Sequence, residues 1–332
     1  MRVLVLDGGG SKGLFTLEML QHIELCCGRP IRECFDLIVG TSVGALIAGS
    51  IVAGIPVQEM DSHWIGIATL LEKAKPSARS FATRLAYGHV LDPTDWETTL
   101  NGFFGEKTLA ELPESPRLLV LAADARTVIP HPYLIRSRPL PESVAGRSRF
   151  ETTSSMRLVD VFRATTAAPT IFPAHVVDGI PLVDGGILAN NPVLFALAEA
   201  NLLGSVSCIV SIGTGIETRD LHPNPHRGVL AWTWATIRRS IEPETPEMLI
   251  QGIIEPSRYT RFDPPRLGDV NTWEADVNVL KKARKDVQAY MAGCQDALVD
   301  LVPKLCPEIP RSEDNEDRSV SNASGSRCPV SE

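Results

Sequence analysis

The stretch Leu37-Ile38-Val39-Gly40-Thr41-Ser42-Val43-Gly44-Ala45-Leu46-Ile47-Ala48-Gly49 decides the fold. Three large apolar residues form a short run, as a strand buried on both faces requires, and the run stops at Gly40. Small and apolar residues then continue to Ala53 and read as a closely packed helix. Toward the amino terminus, Val3 to Leu6 is a second such run, followed by Asp7-Gly8-Gly9-Gly10 and a helical spacing at Leu14, Leu17, Leu20 and Leu25. Strand, glycine turn and helix, twice over, predict an α/β protein with a parallel sheet and crossover helices. Further strands are expected at Leu118–Ala122, Pro181–Val183 and Cys208–Ile212, with an extended segment at Tyr133–Arg136. Val159–Ala164 reads as a helix ending before Pro169. Asn191-Pro192 reads as the start of a helix over Val193–Leu203, with Asn as N-cap and Pro at the first helical position. Val277–Met291 is expected to be amphipathic, with Lys281, Lys282, Arg284 and Lys285 on a solvated face.

Composition narrows the class. Of 332 residues 44% are hydrophobic, which excludes a wholly disordered chain. Glycine and proline, 25 each, follow no period, which excludes collagen-like and solenoid architectures. The net charge of −8 argues against general binding of nucleic acid. The last 22 residues, 311–332, are Ser-rich and hold three Arg against five Asp or Glu. That segment is expected to be a disordered tail behind one domain over 1–310 with a charge near −6. The apolar window Val43–Ile55, 13 residues long, falls short of the roughly 20 that span a bilayer. Met1-Arg2 leads straight into a strand run rather than a secretory leader, so a soluble, cytoplasmic protein is expected. Seven cysteines without any CxxC spacing predict neither a disulfide framework nor a zinc site.

Two glycine turns carry the chemistry. Gly8-Gly9-Gly10-Ser11-Lys12-Gly13 formally fits the dinucleotide fingerprint GxGxxG, after a strand and before a helix. That reading wants an acid about 20 positions on, at the end of the second strand, and the nearby Asp36 precedes its strand. The glycines do present backbone N–H groups at a helix start, which suit an anion or a developing oxyanion. Lys12 in the first turn opposes the helix dipole, which makes sense if a negative group docks there; a solvated lysine is the alternative.

Gly40-Thr41-Ser42-Val43-Gly44 matches GxSxG, with a strand before and a helix after, the context a nucleophile elbow needs. It would expose Ser42 Oγ at the end of the sheet, with Gly40 and Gly44 relieving crowding in the bend and the Val43 N–H beside it. A serine hydroxyl needs a base. His175, His222 and His226 lie downstream, but none follows a strand with glycine punctuation. Asp184 does, ahead of Gly185-Gly186, although on these residues alone a plain Asp-Gly turn is the favoured reading.

Taken together these motifs resemble the patatin-like phospholipases, which combine a DGGGxRG segment, a GxSxG elbow and a later DGG or DGA. Here they stand as Asp7–Gly13, Gly40–Gly44 and Asp184-Gly185-Gly186. Ala168–Pro173, Asn190-Asn191-Pro192, Ser211–Gly215 and Arg261–Pro265 are similar too, so the resemblance covers roughly residues 1–305. Lys12 departs from the family's Arg, keeping the charge but losing the planar fork. The resemblance implies a three-layer α/β/α fold with a mainly parallel central sheet. It implies a Ser42–Asp184 dyad without histidine, cleaving acyl esters of lipids through an acyl-enzyme. Gly8, Gly9 and Gly10 would supply the oxyanion hole, supported by Lys12, Gly13, Gly40, Gly44 and Gly185. It implies no metal and no cofactor, and the sequence holds no Ca²⁺ loop of EF-hand type. The expected partner is a phospholipid or other acyl lipid met peripherally at a membrane, with homo-oligomerisation left open and no nucleic acid. Trp232, Trp234 and Arg238-Arg239, or the stretch Trp64–Leu71, are candidate membrane rims, although for each tryptophan taken singly ordinary packing is the favoured reading. Two other readings stand beside this one: a catalytically silent lipid-binding or regulatory protein on the same scaffold, and a nucleotide-dependent oxidoreductase.

Overall fold

The computed structural model describes residues 1–72, 89, 91–145, 155–215, 244–265, 270 and 276–307. The expected tail, His222, His226, Trp232, Trp234, Arg238 and Arg239 lie outside the described residues. Among those described, eight strands form one sheet in the order β5-β6-β3-β2-β1-β7-β8, with β4 also paired to β3. They are β1 (Arg2–Leu6), β2 (Leu37–Thr41), β3 (Arg117–Asp124), β4 (His131–Arg136), β5 (His175–Val177), β6 (Ile180–Asp184), β7 (Cys208–Ile212) and β8 (Tyr259–Phe262). The run β3-β2-β1-β7-β8 is parallel throughout, whereas β4 and β6 pair antiparallel with β3, and β5 with β6. The sheet is therefore mixed, with its parallel part running from β3 to the β8 edge and its antiparallel strands on the other side.

Continuous apolar runs form the central strands because both faces are covered. Leu4, Leu6, Ile38, Leu118 and Val120 point into the larger core, with helices α1 (Gly13–Cys27), α2 (Ile31–Cys34), α3 (Val43–Val52) and α4 (Val57–Glu72). The same layer holds α5 (Pro93–Phe104), α7 (Leu158–Thr165), α10 (Val277–Gly293) and α11 (Gln295–Leu305), whereas α6 (Glu142–Ala145) is a single turn. Alternate residues Val3, Val5, Leu37, Val39 and Leu119 face the opposite layer, α8 (Val193–Leu203) with Ile250 of α9 (Glu244–Ile253). This is the expected three-layer α/β/α arrangement. Arg136 on β4 and Glu199 on α8, both almost fully buried, tie sheet to helix through bonds of 2.7 and 2.8 Å.

Two local expectations shift. Helix α8 spans Val193–Leu203 as read, but Pro192 rather than Asn191 takes the N-cap position. The Asn191 side chain still accepts the Val193 N–H at 3.0 Å. On α10, Lys281, Lys282 and Lys285 are exposed as expected, but Arg284 is half-buried and paired with Glu18 and Asp61.

Candidate active site

Strand β2 ends at Thr41, and the chain reverses into α3 through Ser42, whose φ of 55° lies in the left-handed region. A non-glycine residue held there stores on the order of 1–3 kcal/mol. The bend is possible because the residues two positions before and after Ser42, Gly40 and Gly44, have no side chains. A Cβ on Gly40 would stand 2.5 Å from the backbone of Ala45, and one on Gly44 would strike the carbonyls of Leu6 and Asp7. The Ser42 N–H donates to Thr165 Oγ1 at 3.0 Å, and that hydroxyl donates to the Leu121 carbonyl at 2.6 Å.

Register on β3 brings Asp184 to this bend. Thr41 of β2 is level with Leu121, and Asp184 of β6 is level with the next residue, Ala122. Strand β4 occupies the other side of β3 over this whole length, from Leu119 to Asp124. The carboxyl ends of β2 and β6 therefore meet head to head on one side of β3. Ser42 Oγ donates to Asp184 Oδ2 at 2.7 Å, while Asp184 Oδ1 accepts the Gly186 N–H at 2.7 Å. The Asp-Gly turn and the serine partner are thus the same residue in two roles. A Cβ on Gly185 would collide with the Leu121 carbonyl, so the aspartate must be followed by glycine. Burial pushes the Asp184 carboxyl up to about 6, against the opposing bonds from Gly186 and Ser42.

The glycine loop crosses the same site. A Cβ on Gly8 would lie 3.2 Å from Ser42 Cβ. The Gly8 N–H donates to the Asn190 carbonyl at 3.1 Å, so it is already engaged; this corrects the expectation that all three glycines offer free donors. The Gly8 carbonyl in turn accepts from Asn190 Nδ2 and Thr214 Oγ1, each at 3.1 Å. Gly9 and Gly10 are half-exposed, and their N–H groups make no hydrogen bond among the described residues. Lys12 is buried rather than solvated, with Nζ donating to the Gly215 carbonyl at 3.2 Å. Gly13 packs on the Trp64 ring, and Trp64 Nε1 donates to the Ser11 carbonyl at 2.8 Å. Trp64 is 1% exposed, so it supports the glycine loop from inside and forms no membrane rim.

Behind the loop lies a buried charge cluster that sequence reading did not find. Arg261 of β8 grips Asp7 through two bonds of 3.0 and 2.6 Å and also reaches Asp263 and Ser211, each at 2.7 Å. Burial alone would lower the guanidinium's pKa, but Asp7 and Asp263 outweigh it and hold it up. Asp263 accepts the Gly215 N–H at 2.9 Å, so this cluster anchors both ends of the loop environment. The only hint in sequence was the Arg261–Pro265 similarity.

Other candidates are engaged elsewhere. His175 pairs with Asp160 at 3.0 Å, on β5. Asp36 is held by Arg2 at 2.6 Å, which removes it from a ribose-binding role. The one grouping of at least three potential metal ligands among the described residues is Cys27, Cys34 and Cys306, which does not include Asp184.

A family model described as "Patatin-like phospholipase" matches residues 4–197. The "cUMP-AMP-activated phospholipase" of Escherichia coli is 28% identical over 239 residues, covering 69% of this chain and 68% of that protein. The "Calcium-independent phospholipase A2-gamma" of Oryctolagus cuniculus is 25% identical over 274 residues, covering 80% of this chain. This chain spans only 34% of the rabbit protein's length. Among solved structures, VipD from Legionella pneumophila aligns with a TM-score of 0.42 at 16% identity, over 88% of this chain and 67% of that one.

Proposed function

Because the chain belongs to the patatin-like phospholipase family, we propose that it hydrolyses fatty acyl esters of phospholipids or related lipids, with Ser42 as nucleophile and Asp184 as base. The observation that carries this reading is the 2.7 Å bond from Ser42 Oγ to a buried carboxylate, on a strained strand-to-helix turn. Ser42 Oγ gives its proton to Asp184 Oδ2 as it bonds to the acyl carbon. The carbonyl oxygen becomes an oxyanion facing the Gly9 and Gly10 N–H groups. When the intermediate collapses, the leaving alcohol takes the proton from Asp184. Water then attacks the acyl-serine, giving its proton to the same carboxylate, which returns it to Ser42 Oγ as the acyl–oxygen bond breaks and the fatty acid leaves. Gly8, clamped by Asn190 and Thr214, sets where the next two donors point.

Among the described residues no helix is long and apolar enough to cross a membrane. Contact with lipid would therefore be made from the surface. Val128 and Ile129, at 102% and 76% exposure, form the tip of the β3–β4 connection. That tip extends beyond the carboxyl end of β3, the edge where Ser42 sits, and with a net charge of −8 the contact should be local and apolar.

The test is incubation of the full chain with vesicles of mixed phospholipids and with a soluble short-chain ester, products identified by mass spectrometry. Free fatty acid and lysophospholipid from the vesicles are expected. A Val128→Asp/Ile129→Asp variant should raise KM for vesicles and leave turnover of the soluble ester unchanged. Absence of products from both substrates would favour the catalytically silent scaffold.

A further inference from the structure

Cys27, Cys34 and the distant Cys306 converge at the end of the sheet opposite Ser42. Cys27 closes α1, Cys34 closes α2, and Cys306 follows the last turn of α11. All three lie near the starts of β1 and β2, a strand's length from the elbow. Their sulfur atoms lie within 4.8 Å of one another, and Cys34 Sγ stands 3.9 Å from Cys306 Sγ although 272 residues separate them. Three thiolates bound to one ion at about 2.3 Å each, in trigonal or tetrahedral geometry, lie roughly 3.8–4.0 Å apart. The Cys34–Cys306 separation falls in that range and the bound of 4.8 Å on all three leaves at most about 1 Å to close, whereas a disulfide needs its sulfurs at about 2.05 Å.

The cluster is held from all sides. Ile31 N–H donates to Glu24 Oε1 at 2.7 Å, fixing the turn between Cys27 and Cys34, and Gly28 within that turn has a φ of 64°. Arg2, paired with Asp36, donates from Nη1 to the Leu305 carbonyl at 2.7 Å, fixing the residue before Cys306. Cys34 is fully buried, whereas Cys27 and Cys306 are partly exposed, which gives an ion a route in. These sulfurs take no part in the ester chemistry. Absence of CxxC spacing argued against a metal site, but spacing cannot register a ligand contributed from the far end of the chain.

We propose that Cys27, Cys34 and Cys306 form a binding site for one soft, thiolate-seeking metal ion, which fastens the final helix to the first two. Thiolate donors select ions such as Zn(II) and Cu(I) over oxygen-seeking ones. Three thiolates complete a trigonal Cu(I) site. Zn(II) would take a water as fourth ligand from the open side. Binding replaces three S–H bonds with three metal–sulfur bonds and releases three protons, so affinity rises with pH.

The test uses the reduced, metal-free full chain under argon, titrated with Zn(II) in one arm and Cu(I) in the other against a chromophoric chelator. One ion per chain is expected in at least one arm. At about a hundredfold excess over Kd the thermal midpoint should rise by roughly 4 °C. Cys27→Ser, Cys34→Ser and Cys306→Ser should each weaken binding more than about 100-fold, the upper end of what losing an outer-shell partner costs. Cys26→Ser should leave it unchanged. Cys306→Ser, at a partly exposed helix end, keeps the test valid if the buried Cys34 variant fails to fold. No stoichiometric binding in either arm, or binding that survives Cys306→Ser, would overturn the proposal. Ester hydrolysis is not a readout here, so this outcome is independent of the proposed activity.

Discussion

Ser42→Ala is expected to abolish ester hydrolysis, lowering kcat by about 10⁴-fold or more, as removal of a serine nucleophile does elsewhere. Asp184 Oδ2 faces Ser42 Oγ, and the hydroxyls of Thr165 and Thr41 are engaged, the first between the Ser42 N–H and the Leu121 carbonyl and the second with the Ala189 carbonyl. The fold should survive. The variant loses one hydrogen bond to a charged acceptor, worth about 1.5–3 kcal/mol, and keeps the same backbone at position 42. A denaturation curve measured beside the activity assay separates lost chemistry from lost structure.

Asp184→Asn is the second large effect, and it should move activity and stability in opposite directions. Loss of the base should lower kcat by about 10²–10⁴-fold. Because burial raises the carboxyl to about 6, wild-type kcat/KM should rise with pH through that value and level off above it. The residual activity of the variant should lack that limb. For stability, the folded-state pKa lies above the ordinary 3.8, so the folded chain holds this proton more tightly than the unfolded chain. Ionising Asp184 therefore costs stability progressively between about pH 4 and pH 6, and the whole cost stands above pH 6. It amounts to on the order of 3 kcal/mol. An asparagine carries no such cost and still accepts the Gly186 N–H through Oδ1. At pH 8 the inactive variant should be the more stable protein, and below pH 4 the difference should vanish. Thermal melts across that range decide it.

That opposition explains which parts of the site could be read in the sequence. Strands β1, β2, β3 and β7 were legible because a strand covered on both faces needs an unbroken apolar run. The elbow was legible because its parts are contiguous: a strand, Gly40, Ser42, Gly44 and a small-residue helix. Asp184 was different. An Asp-Gly turn explains Asp184-Gly185-Gly186 locally, and only the resemblance singled the residue out. Its meeting with Ser42 depends on where two strands stop along β3, a register 142 residues away in sequence.

The supports around the site were invisible for the same reason. Thr165 stands 123 residues from the Ser42 N–H that it accepts, and Arg261 stands 254 residues from Asp7. Spacing also cannot tell which backbone donors are already used, so Gly8 looked equivalent to Gly9 and Gly10 until the Asn190 carbonyl was seen to hold it. Trp64 shows the converse. An indole beside apolar residues reads first as ordinary packing and only second as an interfacial group, and Trp64 is indeed packed: its ring lies against Gly13 and its Nε1 donates to the Ser11 carbonyl.

The central claim is that Ser42 is the acylated residue, and a fluorophosphonate tests it most directly. The chain is treated with the reagent at pH 8, digested, and its peptides are mapped by mass spectrometry. The predicted result is one adduct per chain, on Ser42, absent from Ser42→Ala and formed far more slowly by Asp184→Asn. Hydrolysis of phospholipid by a chain that takes no adduct at Ser42, or an adduct on another residue that abolishes turnover, would contradict it.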